Sequence, residues 1–212
     1  MLAFHNDPKI KKTYLARIRA HIAADELVHG VYWENGKGCA VGCTVHSSSH
    51  SVYEIELGIP RLLAKLEDGI FESLGNGRAK RWPEEFLLAP RVGADLSMVW
   101  PRFAAWLLVD PKYGVIQFSK SAQSKKSIQD VADAYGQVVG GTAEDVNWSK
   151  LRRAAVDAAD AAAAAAAYAA AAAYASTAAA AYAAAAAAAA ARKEWSNAQA
   201  DKLLELMRDA PV

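Results

Sequence analysis

Between Thr142 and Arg208 the chain contains neither glycine nor proline, and Ala161 to Ala191 holds only alanine, tyrosine, serine and threonine. No other feature restricts the fold so strongly. Alanine is the best helix former, yet it has almost no side chain with which to build a core. The tract therefore predicts a helix stabilised by backbone propensity. If continuous over 143–194, it would be a rod of roughly 75 Å at ~1.5 Å rise per residue. Capping-box patterns at Ser127-Ile128-Gln129-Asp130 and Thr142-Ala143-Glu144-Asp145 predict two helix starts, the first helix ending at Gly140-Gly141. The expected fold class is mostly α: a compact N-terminal helical unit plus a long alanine-rich C-terminal helix. The helical core covers 1–118 and carries the candidate pocket. A polar linker follows over 119–127, and 128–212 form the helical arm.

The tract is long enough to cross a bilayer, but it lacks the Leu, Ile, Val and Phe that drive insertion, so no membrane span is expected. A bare apolar rod with small side chains lets another helix approach closely, which predicts a homo-oligomer through the arm. Tyr168, Tyr174 and Tyr182 do not fall on one narrow face. The chain could also fold back near Ser176-Thr177. The formal net charge of +1 offers no basic excess for a phosphate backbone, and no nucleic-acid partner is expected. The opening MLAFHNDPKIKKTY lacks the apolar run of a signal peptide, and two cysteines make no disulfide framework. A cytoplasmic setting is the expectation.

In the first half, Asn6-Asp7-Pro8 reads as a helix start, with the helix running over 8–29 to Gly30. Pro60 opens a second helix with Leu62, Leu63, Leu66, Ile70 and Leu74 inward. Glu67, Asp68 and Glu72 read as its solvated face, with Glu67 at the border and within reach of His21. Trp82-Pro83 and Trp100-Pro101 read as two further helix starts, and Val115–Phe118 as the one strand.

All five histidines and both cysteines lie in the first 50 residues. On the first helix His21, Asp25 and His29 share the face of Ile10, Tyr14, Ile18 and Ile22, so they need partners or a cavity. In GKGCAVGCTVHSSSH (36–50), Cys39, Cys43 and His46 would share one helical face. Three chemistries compete. Soft ligands could hold a metal. Cys39 near a helix start could be a nucleophile, with His21, His29 or His46 as base and Asp25 as orienter. Or the stretch could bind a ligand without turnover. Trp33 and Tyr53 would stack, Lys37 with the Gly36 and Gly38 amides would meet an anionic group, and His46, Ser48 and His50 would supply donors and acceptors. No catalytic signature, metal knuckle or cofactor motif is present, so no catalytic residue, metal or cofactor is assigned. The expected function is non-enzymatic binding of a small anionic, nucleotide-like molecule by His21, Asp25, Trp33, Lys37, Cys39, His46, Ser48, His50 and Tyr53. The alternatives are a metal- or thiol-dependent enzyme, and a protein-binding inhibitor of a bacterial defence system.

The stretch YWENGKGCAVGCTVHSSSHSVYEIELGIPRLLAKLEDGIFE (32–72), followed by WPEEFL (82–87), resembles a group of uncharacterised proteins from bacteria and their phages. GCAVGCTV is also similar to a Cys-Ala-x-Gly helix in another uncharacterised helical family. The resemblance covers about the first half of the chain. It implies a small, mainly helical protein and brings no activity or catalytic residue. Phage proteins of this sort include counter-defence factors that sequester cyclic nucleotide signals, and the resemblance implies a role of that kind.

Overall fold

The first helix begins where its capping chemistry places it. The Asp7 carboxylate accepts from the Lys9 amide at 2.8 Å, proline occupies the first turn, and α1 runs Pro8–Ala23. The computed structural model describes residues 1–155, 157 and 178–212, without the side chains of 145 and 178–190. Helix α1 does not reach Gly30 as the sequence suggested. Asp25 turns left-handed at φ 56°, and the chain leaves the helix axis.

The departing strand of backbone runs beside a hairpin. Trp33–Glu34 (β1) pairs antiparallel with Lys37–Gly38 (β2). Asn35 and Gly36 form the turn at φ 50° and 82°. Two left-handed residues are what a tight hairpin turn requires, and Asn-Gly is its strongest sequence signal. Val28 donates to the Gly38 carbonyl at 2.9 Å and Gly38 donates to the Glu26 carbonyl at 3.1 Å, tying 26–28 to the hairpin. The strand expected at Val115–Phe118 is instead a 3-10 turn closed by local bonds such as Gln117 N to Gly114 O at 3.1 Å.

Helix α2, Ala40–Val45, is buried at every residue. Only small and β-branched side chains allow that. At Gly42 an added Cβ would lie 1.6 Å from the Tyr32 carbonyl oxygen, so the hairpin backbone rests directly on this helix. Helix α2 packs against α1, α3 (Arg61–Ser73) and α5 (Trp82–Leu88), with the short α4 (Asn76–Ala79) between the last two in sequence. Tyr53, Trp82, Phe4, Phe71 and Phe86 are the largest fully buried side chains.

Helix α3 corrects one expectation with consequences for the site. Leu62 is 40% exposed, whereas Glu67 is 0% and Asp68 8% exposed. At ~100° per residue, positions 63, 67, 70 and 74 lie on one line. Leu63, Ile70 and Leu74 therefore carry Glu67 inward with them, and Asp68 follows beside it.

The remaining helices are α6 (Val99–Val109), α7 (Ala122–Val139), α8 (148–155) and α9 (Ala178–Arg208). Helix α7 starts inside the stretch expected to be a linker, because Ser121 Oγ accepts from Ser124 N at 3.3 Å ahead of the expected cap at Ser127. At the other expected cap Thr142 makes no capping bond. A 3-10 turn follows over Ala143–Asp145, and Asn147 caps α8 by accepting from Lys150 N at 2.9 Å. The continuity of the alanine rod, and any fold-back near Ser176-Thr177, fall on 158–177, outside the described residues.

The contacts divide the chain differently from the expected borders near 119 and 128. One compact unit is Met1–Trp100 with Ser196–Val212, and the other is Pro101–Trp195. The C-terminal segment joins the first unit because Ser196, Ala200, Leu203, Leu204 and Met207 repeat at helical spacing and are buried. Arg78 donates to the Asn197 side-chain oxygen at 3.1 Å and to Asp201 at 2.5 Å, and Arg91 donates to the Ala210 carbonyl at 2.9 Å. In the second unit Trp106 lies between Phe103 and Tyr113, and Trp195 Nε1 donates to the Tyr113 carbonyl at 3.0 Å. Tyr135 packs on Trp148 at 5.1 Å. No helix among the described residues is long and apolar enough to cross a membrane.

Candidate functional site

The last turn of α1, the hairpin and the C-terminus of α2 bring three of the expected residues together. His21 Nδ1 lies 2.6 Å from Glu26 Oε2, and His21 Nε2 lies 2.8 Å from His46 Nε2. The His46 ring stacks on Trp33 with centroids 4.5 Å apart and planes at 12°, while His21 meets Trp33 edge-on at 5.6 Å. His46 holds a left-handed backbone (φ 52°, ψ 41°) as the C-cap of α2, with its amide donating to the Gly42 carbonyl at 2.8 Å. Glycine is usual there, and a side-chain-bearing residue costs roughly 1–2 kcal/mol. The result is an exposed imidazole with one face covered by Trp33 and one edge held by His21.

A polar flank adjoins this chain. Arg17 Nη1 donates to the Thr44 carbonyl at 3.0 Å and its guanidinium stacks over Tyr14 at 4.7 Å. The Tyr14 hydroxyl donates to Glu56 in a short bond, and burial together with Glu56 pushes the phenol up to about 12. Partial burial, then the charges of Arg17 and His21, push the His46 imidazole below its ordinary value. The neutral ring is thereby favoured near neutral pH.

No known family, curated protein or solved structure matches this chain. The site must be read from its own groups.

Three other expected residues form a second cluster deeper in the same unit. Cys39, His50 and Tyr53 gather around Glu67 and Asp68. His50 Nε2 lies 3.2 Å from Asp68 Oδ2, and Tyr32 meets His50 edge-on at 5.9 Å. Tyr53 is fully buried, with its hydroxyl facing Glu67 and Thr44 but closing no hydrogen bond of normal geometry. Burial pushes the Glu67 carboxyl well above the usual carboxylate range. That favours the neutral acid, which can donate to Tyr53.

The cysteines are the N-terminal packing of α2. Cys39 is its N-cap, with Sγ accepting from Gly42 N at 3.5 Å. That bond lowers a thiol pKa, but burial and the neighbouring Asp68 carboxylate outweigh it and the Cys39 thiol is pushed up. Burial pushes Cys43 up to about 12. Among the described residues, no group of three or more His, Cys, Asp and Glu is arranged to hold a metal ion.

Asp25, Lys37 and Ser48 belong to neither cluster. Asp25 pairs with Lys80 at 2.6 Å in the open, and Lys80 lowers its carboxyl. With His29 it borders a separate cavity of about 270 Å³ floored by Phe71. Lys37 and Ser48 are exposed, and the Gly38 amide expected for an anion is already used by the Glu26 carbonyl. Sequence reasoning passed over Arg17 and Glu26, and it read Glu67 and Asp68 as a solvated face with Glu67 in reach of His21, whereas both are buried and Glu67 faces Tyr53. Glu67 was visible in the helical spacing of Leu63, Ile70 and Leu74. Glu26 was not, because it reaches His21 only after the helix has broken.

Proposed function

We propose that the protein binds a small anionic, nucleotide-sized ligand against the Trp33–His46 stack and releases it unchanged. The observation that carries this reading is the hydrogen-bonded order Glu26–His21–His46 with His46 laid flat on Trp33. Two stacked rings ending in an exposed imidazole extend naturally to a third ring, that of a base. Arg17 supplies the adjoining positive charge for a phosphate. Neither thiol is activated as a nucleophile. In a phage or bacterial setting, such binding would sequester a nucleotide signal.

Thermal shift of the whole chain against nucleotides and cyclic dinucleotides is the test. A stabilising shift lost in His46→Ala and Trp33→Ala is the expected result. No shift with any compound, or a shift kept in both variants, refutes the reading.

A second reading rests on the same chain. A carboxylate that orients one imidazole against another is a proton relay, and a neutral His46 is competent as a general base. Incubating the same compounds with the protein and following products by chromatography separates the two. Turnover lost in His46→Ala selects the relay, and recovery of unchanged ligand selects binding. Self-association through the alanine-rich helix is a further part of the proposal, and a clean monomer mass by light scattering would rule it out.

A further inference from the structure

In the surface chain two ring nitrogens converge edge to edge. His21 Nε2 and His46 Nε2 aim at one position from 2.8 Å apart, with their ring planes at 90°. Both rings are held in place. His46 lies flat on Trp33 and on a left-handed backbone, and Glu26 Oε2 grips His21 from behind at 2.6 Å from Nδ1. The contact is exposed: His46 lies at the surface, and the His21 side chain keeps 12% of its area in solvent.

Two facing imidazole nitrogens can share a proton or a metal ion. Zinc bonds imidazole nitrogen at about 2.05 Å, and two such bonds at a tetrahedral angle set the nitrogens roughly 3.3 Å apart. The pair therefore has to open by about 0.5 Å, a side-chain adjustment. A carboxylate on the far nitrogen of a ligating histidine fixes its tautomer and makes the near nitrogen more basic, which is the Glu26–His21 arrangement. His21 keeps its Nδ1 proton on Glu26 and offers Nε2. His46 moves its proton from Nε2 to Nδ1, which bonds to no other described residue, so two neutral rings take up the ion without net proton loss. Arg17 opposes a cation at His46, while Glu56 and Glu26 favour it. Arg17 is the strongest single charge of the three, so the two nitrogens rather than the surrounding field supply the affinity. Imidazole ligands select zinc, copper or nickel over magnesium and calcium. The described residues bring no third His, Cys, Asp or Glu to the ion, so its remaining positions stay open to water.

We propose that His21 Nε2 and His46 Nε2 form a two-histidine site for a divalent transition-metal ion of the zinc type, with Glu26 as the positioning residue behind His21. The ion lies on the ring edges and leaves the outer face of His46 to a stacked base. Titrated in the absence of nucleotide, the site stands or falls independently of the nucleotide reading.

The test titrates Zn²⁺ into the metal-free full chain, read by calorimetry and by the ring-nitrogen NMR resonances of the histidines. Saturable uptake of a single equivalent is expected, with the Nε2 resonances of His21 and His46 moving together. Mg²⁺ should move neither. His21→Gln and His46→Asn should each weaken binding at least about tenfold, and Glu26→Gln by about tenfold. Asparagine tolerates the left-handed backbone at 46, so His46→Asn keeps the test open if His21→Gln does not fold. His29→Gln should leave binding unchanged. Absence of saturable binding, or binding that leaves the two Nε2 resonances in place, overturns the proposal. So does an equal response to Mg²⁺, or binding undiminished in the folded His21 and His46 variants.

Discussion

The Nε2 atoms of His21 and His46 face each other at 2.8 Å, so a single proton lies between the two rings. Glu26 decides which ring owns it. With its carboxylate 2.6 Å from His21 Nδ1, that nitrogen carries hydrogen, and when both rings are neutral His21 Nε2 accepts from His46 Nε2. The outer His46 nitrogen is left as a lone pair.

The first prediction follows from the lowered His46 pKa. Between the folded value and the unfolded value near 6.5, the unfolded chain binds more protons. This contribution to stability is complete above the unfolded value and is lost as pH falls through it. Urea unfolding at pH 7.5 and 5.5 should show a smaller acid loss in His46→Gln than in wild type. By NMR the His46 midpoint should lie below the ordinary histidine value. It should fall further in Glu26→Gln, since the Glu26 charge raises it.

Glu67 predicts the opposite slope. Burial raises its carboxyl pKa, so the folded chain keeps a proton that the unfolded chain releases above about pH 4.3. Stability from this group is present at low pH and declines as pH rises toward the folded value. Glu67→Gln, which keeps the shape, should unfold at a higher temperature than wild type at pH 8.5. The gap should shrink at pH 5.

Two glycines should respond in opposite directions. Gly42→Ala drives a Cβ into the Tyr32 carbonyl and should lose at least about 2 kcal/mol by denaturant unfolding. Gly136 sits within α7 with nothing within 4 Å of an added Cβ. Gly136→Ala should therefore gain about 0.5–1 kcal/mol locally, read as slower amide exchange in α7.

Both thiols should be inert. Cys39 and Cys43 are 1% and 0% exposed and their pKa values are raised. Iodoacetamide at pH 7.5 should label them at least tenfold more slowly than free glutathione, and at ordinary rates in urea. Fast labelling of Cys39 in the folded chain would return thiol chemistry to consideration.

Helix α3 and the hairpin show how far local pattern reaches. Pro60 and the leucine spacing correctly predict a helix after residue 60, whereas Asn35-Gly36 carries a hairpin signal that the expectation of one strand at Val115–Phe118 overlooks. The placement of Glu67 also follows from that spacing. The partner of His21 does not, since a helical wheel continued past Ala23 puts Asp25 beside it, and the break at Asp25 delivers Glu26 instead. The Trp33–His46 stack joins residues from a hairpin and a helix end, which no single periodicity relates.

By itself the sequence determined that the protein is mostly helical, because capping residues, proline positions and apolar spacing act within a turn or two of the chain. It also placed every histidine and cysteine in one early region. Tertiary structure alone decided that this region divides into a surface chain around His46 and a buried acidic cluster around Asp68. The reason is steric. With Gly42 pressed against Tyr32, the small residues of α2 sit at the centre of the core, so side chains neighbouring in sequence leave it on opposite sides.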